Sequence, residues 1–285
     1  MTYVPYLPPE HLRELAVAAE ESGLDELWVW EDCFKQSGPA SAAAALAWTK
    51  RLRVGIGLMP TPLRNVALTA MEIATLERLF PGRLTPGVGH GVQEWMAQVG
   101  ARAGSPLTLL REYVIALRRL LAGEEVTVEG RYVRLDRVQL DWAPSTPPSI
   151  AIGADGPRSL AVAGELGDLY LLSAARTDDE IRTAIATVRE SREAHQPDAG
   201  ALEVVGAQIV ATGPGARERV DAEAPFWGKP AGIGSAGGPD AIAADLRRLA
   251  GLGITSIAVQ PTRDEPDLIG LVEFLGREVR PLLSA

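Results

Sequence analysis

One feature constrains the fold more than any other: apolar runs of strand length alternate with segments whose apolar residues recur at helical spacing. Thr2–Leu7, Glu26–Glu31, Leu52–Met59 and Arg83–Val88 read as strands, and so do Ser149–Gly153, Asp168–Ser173, Leu202–Ala211 and Ile254–Gln260. Between them lie the helical segments Pro9–Ser22, Ala40–Lys50, Val66–Leu79, Pro106–Leu121, Arg158–Leu166, Asp178–Ala194 and Asp240–Gly251, with Leu268–Leu282 closing the chain. In Pro106–Leu121, for example, Leu107, Leu110, Val114, Leu117 and Leu121 form one apolar face. Such alternation builds parallel strands joined by helical crossovers. Eight repeats in 285 residues predict an α/β fold, a (β/α)8 TIM barrel occupying residues 1–285 as one domain.

Two segments depart from the rhythm. Val126, Val128, Tyr132 and Val133 flank Glu129-Gly130, so Glu125–Leu135 reads as a small hairpin inserted into the barrel. Pro225–Pro239 has no period and reads as a loop over the barrel mouth.

The formal net charge of −9 disfavours nucleic acid and anionic membrane surfaces, both of which need clustered cations. The single cysteine, Cys33, excludes an intramolecular disulfide and a cysteine zinc site, and no zinc-ligand spacing is found elsewhere, so no metal is expected. The start of the chain lacks a basic leader, and no stretch reaches the ~18 apolar residues of a membrane span. The expectation is a cytoplasmic protein that handles a small molecule.

In a parallel barrel the chemistry sits on the loops that follow the strands. After the second strand, Glu31 and Asp32 offer two carboxylates beside Cys33 and two aromatics. They can exchange a proton with a ligand, or cap a helix and pair with an arginine. Gly57 and Leu58 lie in the glycine-broken end of the third strand, where either a ligand or a neighbouring strand approaches the backbone. Arg64, just beyond, can meet an anion or pair with Glu31 or Asp32. After the fourth strand, Gly89 and Gly91 bracket His90, a candidate proton carrier. After the fifth, Gly153, Ala154, Asp155, Gly156, Pro157 and Arg158 form a glycine loop that opens a helix, a place suited to an anion. Ser173 and Arg176 follow the next strand and complete a candidate phosphate site. His11 and His195 fall on predicted helices and read as structural.

Taken in order, several segments resemble a known family. They are Ala19–Val29, Ala74–Arg83, Gly87–Gly91, Gly123 with Gly130-Arg131-Tyr132, and Ala163–Asp168. The chain is similar to the bacterial luciferase-like monooxygenase superfamily. The nearer likeness is to its branch that uses the deazaflavin coenzyme F420, which includes methylene-tetrahydromethanopterin reductases and glucose-6-phosphate dehydrogenases. The resemblance implies a luciferase-like barrel with insertion segments, a dimer, and a tricyclic ring in the mouth. It implies a bulge with a non-proline cis peptide at Gly57-Leu58 backing that ring, and a phosphate site on Gly153–Ser159 with Ser173 and Arg176.

Two departures from the dehydrogenases matter. Cys33 stands in Asp32-Cys33-Phe34 where they carry a histidine, and Val92 stands where they carry a glutamate. Their mechanism is therefore not carried over, and the proton carrier is sought among Asp32, Glu31 and His90. The expected function is F420-dependent hydride transfer to or from a small organic substrate. The alternatives are an FMN-dependent luciferase-like monooxygenase and a non-catalytic ligand binder of the same fold. The substrate would be selected by the loops around Trp30, Trp95, Phe226 and Trp227.

Overall fold

The computed structural model describes residues 1–229 and 231–283. Its first half contains β1 (Thr2–Tyr3), α1 (Leu12–Glu21), β2 (Glu26–Val29), α2 (Gly38–Trp48), β3 (Arg53–Pro60), α3 (Val66–Leu79) and β4 (Leu84–Gly89). A short α4 (Gln93–Gln98) and a long α5 (Pro106–Leu121) lead to the hairpin β5 (Val126–Glu129) and β6 (Arg134–Val138). Alternation resumes with β7 (Ala151–Gly153), α6 (Pro157–Leu166), β8 (Leu169–Leu172), α7 (Asp178–His195) and β9 (Glu203–Ala211). The chain continues through α8 (Ala216–Glu223), β10 (Ser235–Ala236), α9 (Pro239–Gly251), β11 (Ser256–Pro261), α10 (Leu268–Phe274) and α11 (Arg280–Leu283).

The eight expected strands correspond to β1, β2, β3, β4, β7, β8, β9 and β11, and they pair in parallel in that order. The sheet curls until β11 lies beside β1, where the Tyr6 hydroxyl donates to Pro261 O at 3.2 Å. The result is the predicted α/β barrel. Val205 and Gly206 pair with both β8 and β11, and Val210 pairs with both β10 and β11. So β8 and β10 share one edge of β9, and β11 takes the other.

Two apolar layers hold this arrangement. Outward residues such as Leu27, Val54, Ile56, Val204 and Val259 pack under the helices in one large core. Inward residues Trp28, Ala151, Leu169, Val205 and Ala258 fill the barrel itself. The period-2 alternation of a strand produces both. Several glycines give the inward layer room. A Cβ on Gly55 would lie 2.6 Å from Trp28 Cε2, and one on Gly87 would lie 2.7 Å from Leu171 Cδ1.

The first strand is shorter than Thr2–Leu7, because Pro5 has no N–H for the ladder. The hairpin forms as expected, but β6 runs on to Val138. The Pro225–Pro239 stretch is more ordered than a plain loop. It holds a 3-10 turn, Ala224–Trp227, and the edge strand β10. Pro230 within it lies outside the described residues. Among the described residues, no helix is long and apolar enough to cross a membrane.

Candidate active site

A cavity of about 310 Å³ opens at the C-terminal ends of the barrel strands. Each wall comes from a different strand end. From β2 come Trp30, Glu31 and Asp32, from β3 Gly57 and Leu58, and from the loop after β4 His90 and Gly91. Gly153, Ala154 and Asp155 follow β7, and Ser173 follows β8. These sequence candidates, more than a hundred residues apart in the chain, therefore meet at one site.

The floor is built around Leu58. The Gly57-Leu58 peptide is cis, and the pairing of β3 with β4 shifts register between Ile56 and Met59. A Cβ on Gly89 would lie 2.6 Å from Leu58 Cδ2, and one on Gly153 would lie closer still. Glycines on two neighbouring strands thus let the leucine side chain lie across the barrel as a flat apolar surface. Gly89 is beneath that surface rather than exposed to the cavity. A second cis peptide, Cys33-Phe34, follows the acidic pair and was not foreseen.

The corner expected to hold an anion is built from two helix starts. Ser159 Oγ accepts from Gly156 N at 3.1 Å and donates to Gly156 O at 2.8 Å, fixing the turn into α6. Pro157 occupies the first position, where its missing N–H costs nothing. Arg176 donates through Nε to Ser173 Oγ at 3.0 Å and through Nη2 to Asp155 Oδ1 at 2.6 Å. Ser173 also donates to Asp155 Oδ1 at 2.9 Å. Ala175 at φ 58 turns the chain so that Arg176 points back into this group. Directly after it, Thr177 and Glu180 cap α7: Glu180 Oε2 accepts from Thr177 N at 2.8 Å. Gly156, Pro157 and Arg158 form the outer shoulder of this corner and do not line the cavity.

Electrostatics separate the proton-carrier candidates. Glu31 forms an ion pair with Arg64, whose Nε lies 3.3 Å from Glu72. Arg64 itself does not line the cavity and lies between the two carboxylates, so of its two sequence readings the pairing with Glu31 is the one seen. Asp32 has no such partner. Burial pushes its carboxyl above the usual aspartate range, with the Lys35 charge opposing this. Burial likewise raises the Cys33 thiol, and the charges of Glu31 and Asp32 raise it further, so it stays a thiol rather than a nucleophilic thiolate. His90 Nδ1 is 2.9 Å from Gly91 O. A carbonyl only accepts, so Nδ1 carries the proton in this geometry and Nε2 is left to accept one.

The sequence reading missed the residues that point inward from mid-strand. Thr2, Trp28, Leu171, Val205, Ala207 and Ala258 all line the cavity. Trp30, Trp95 and Trp227, whose positions the sequence left open, line it too, and Trp227 meets Trp30 edge-on with ring centres 6.0 Å apart. Phe226 faces solvent instead, under the Arg263 guanidinium at 3.6 Å. Strand parity was the available signal, since residues two apart share a face.

Residues 2–253 match the family model described as luciferase-like monooxygenase. The chain belongs to that family. Among curated relatives, a 5,10-methylenetetrahydromethanopterin reductase from Methanolobus tindarius is 32% identical over 178 residues, covering 62% of this chain and 54% of that protein. An F420-dependent glucose-6-phosphate dehydrogenase from Kineococcus radiotolerans is 33% identical over 200 residues, covering 65% and 59%. The matches thus span little more than half the length of those relatives. Among solved structures, an F420-dependent secondary alcohol dehydrogenase in complex with an F420-acetone adduct superposes with a TM-score of 0.86 at 21% identity, covering 99% of this chain and 98% of that one. The barrel expected from the strand rhythm, and the luciferase-like type expected from the family resemblance, are thereby shown.

Proposed function

We propose that this luciferase-like protein is an F420-dependent oxidoreductase that moves a hydride between the deazaflavin and a small organic substrate. One observation carries the reading: a flat apolar floor lines the cavity, and a corner whose groups could hold an anion stands at the adjoining strand ends, with Ser173 in the lining and Arg176 bonded behind it. The floor is Leu58 over Gly89 and Gly153, and the corner is Ser173 with Arg176 at the start of α7. A planar ring with an anionic tail fits this pair of features. The similar proteins named above include F420-dependent enzymes, which supports the assignment.

When bound, the coenzyme would supply or accept the hydride at its central ring. The protein's own residues would do the rest. Leu58 and the cis Gly57-Leu58 peptide would support one face of the ring. Arg176 and Ser173 would leave Asp155 and hold the phosphate, aided by the free amides of the first turn of α6. Asp32 would carry the proton that accompanies the hydride, because its raised pKa keeps it protonated at higher pH than an ordinary aspartate. Glu31 would position the loop through Arg64. The indoles of Trp30, Trp95 and Trp227 would exclude water.

Titration of F420 by fluorescence against wild type and Arg176→Ala tests the corner. Loss of charge-assisted bonds to a phosphate costs about 1.5–3 kcal/mol, or roughly 10- to 100-fold in Kd. Unchanged affinity would remove Arg176 from the site.

A further inference from the structure

We infer that Thr2 and Gln260 form the polar end of the substrate pocket, and that the substrate is a small uncharged molecule carrying a carbonyl or hydroxyl group. This rests on the deazaflavin reading above and goes beyond it in naming the substrate class.

Thr2 lines the cavity, has no exposed surface, and its Oγ1 has no hydrogen-bond partner. Gln260 is also fully buried, and neither its Oε1 nor its Nε2 is partnered. Parity in β11 aims Gln260 inward. Ala258, two residues earlier, lines the cavity, while Val259 between them packs in the outer core. β1 lies beside β11, so Thr2 and Gln260 stand on neighbouring inner strands. A fold selected only for stability would place apolar side chains there, since a buried amide or hydroxyl without a partner is costly. Some other buried polar atoms, such as Thr61 Oγ1 and Glu77 Oε2, also lack partners, but the other buried glutamine amide, Gln208, is paired, its Nε2 donating to Ser235 Oγ at 2.9 Å.

The chemistry of the pair restricts the ligand. An amide offers a donor and an acceptor, and a hydroxyl offers both. A carbonyl oxygen accepts from Gln260 Nε2 and Thr2 Oγ1. The corresponding hydroxyl also donates to Gln260 Oε1. The pair therefore suits both members of a ketone–alcohol couple. The surrounding wall of Trp28, Leu171, Val205, Ala207 and Ala258 is apolar. Among the described residues, no lysine or arginine lines the cavity, whereas Glu31, Asp32 and Asp155 do. With Arg176 assigned to the coenzyme's phosphate, that lining leaves no cation for an anionic substrate such as a sugar phosphate. A cavity of about 310 Å³ is also small once a tricyclic ring shares it.

The test uses Gln260→Met, which keeps the volume and removes both polar atoms, and Thr2→Val, which keeps the shape. Melting temperature, F420 affinity by fluorescence, and binding of the probes cyclohexanone and cyclohexanol by saturation-transfer NMR are measured on each protein. Both variants should melt at or above the wild-type temperature, bind F420 within twofold of wild type, and bind the probes at least tenfold more weakly. A clear fall in melting temperature for both variants would make the two residues structural and overturn the inference. So would unchanged probe binding, or a wild type that binds neither probe. The melting comparison needs no coenzyme. Failure of wild type to bind F420 would therefore sink the deazaflavin reading separately.

Discussion

The two ends of the barrel are built on opposite principles. At the N-terminal end of the strands, polar side chains fasten the loops to one another, although Glu77 Oε2 is left without a partner. Glu20 accepts from the backbone amides of Lys50, Arg51 and Leu52, at 2.8 Å or less for the nearest oxygen on the first two and 2.9 Å for the third. Arg83 donates to Thr49 O and Oγ1 and to Leu52 O. Glu77 accepts from Gly82 N, and Asp168 from Ile150 N. At the C-terminal end, Asp32 is half-buried without a cation in contact, and Thr2, Gln260, Thr262 and the Trp227 indole N–H have no partners. One end is fastened, and the other is held ready for something else.

The difference explains what the family likeness reports. Glu20, Glu77, Arg83 and Asp168 all lie in the segments that carry the resemblance. Glu112 does related work from α5, accepting from the amides of Arg131, Tyr132 and Val133 in another such segment. Most of these motifs join helices to strands at the closed end. They transmit the scaffold faithfully and say little about the substrate.

The contrast breaks if changes at the two ends affect the same property. The largest effect should come from Asp32→Asn. Turnover with F420 should fall by about 100-fold or more, as for loss of a general acid or base. Activity that depends on protonated Asp32 declines as pH rises through its elevated pKa, so this limb of the pH profile should vanish in the variant. F420 affinity should hardly change. Glu20→Ala should do the reverse, lowering unfolding stability by about 2 kcal/mol while F420 affinity stays the same. Chemical denaturation and fluorescence titration measure the two quantities, and a parallel loss of both would erase the distinction. Smaller again is Gly23→Ala at the end of α1. Gly23 has φ +88 with open space around it, so strain alone should cost about 1 kcal/mol. The smallest effect concerns Glu180. The hydrogen bond from Lys229, then the Thr177 amide, lower its pKa to about 2. Its stabilising contribution is present above the unfolded-state pKa, near 4.3. It is lost as pH falls toward about 2. Lys229→Ala should flatten that acid limb slightly, because the pair is partly exposed and screened.

The strand–helix rhythm was legible because each strand of the barrel is an apolar run bounded by turn residues. α4 and α8 were not. Gln93–Gln98 is too short to show a period, and Ala216–Glu223 buries only Ala216, Val220 and Glu223 on an otherwise charged helix. β10 spans two residues and takes its order from the edge of β9. At the site, the loops after strands were legible through glycine, proline and charge. The role of Arg64 was not, because Glu31 and Glu72 reach it only in three dimensions. Thr2 and Gln260 were passed over because they sit inside apolar runs, where a polar residue is easily read as incidental. The glycines carried two messages at once. Gly55 and Gly87 make room for Trp28 and Leu171, whereas Gly89 and Gly153 make room for Leu58 at the cavity floor.

A paired titration tests the central claim most directly. Purified wild-type protein is titrated with F420 and, separately, with FMN under identical salt and pH. The deazaflavin assignment predicts saturable F420 binding at least tenfold tighter than FMN. It also predicts that Gly153→Val, which would drive a side chain into Leu58, weakens F420 binding without unfolding the barrel. FMN binding tighter than F420, or no saturable F420 binding by a folded protein, would contradict the account.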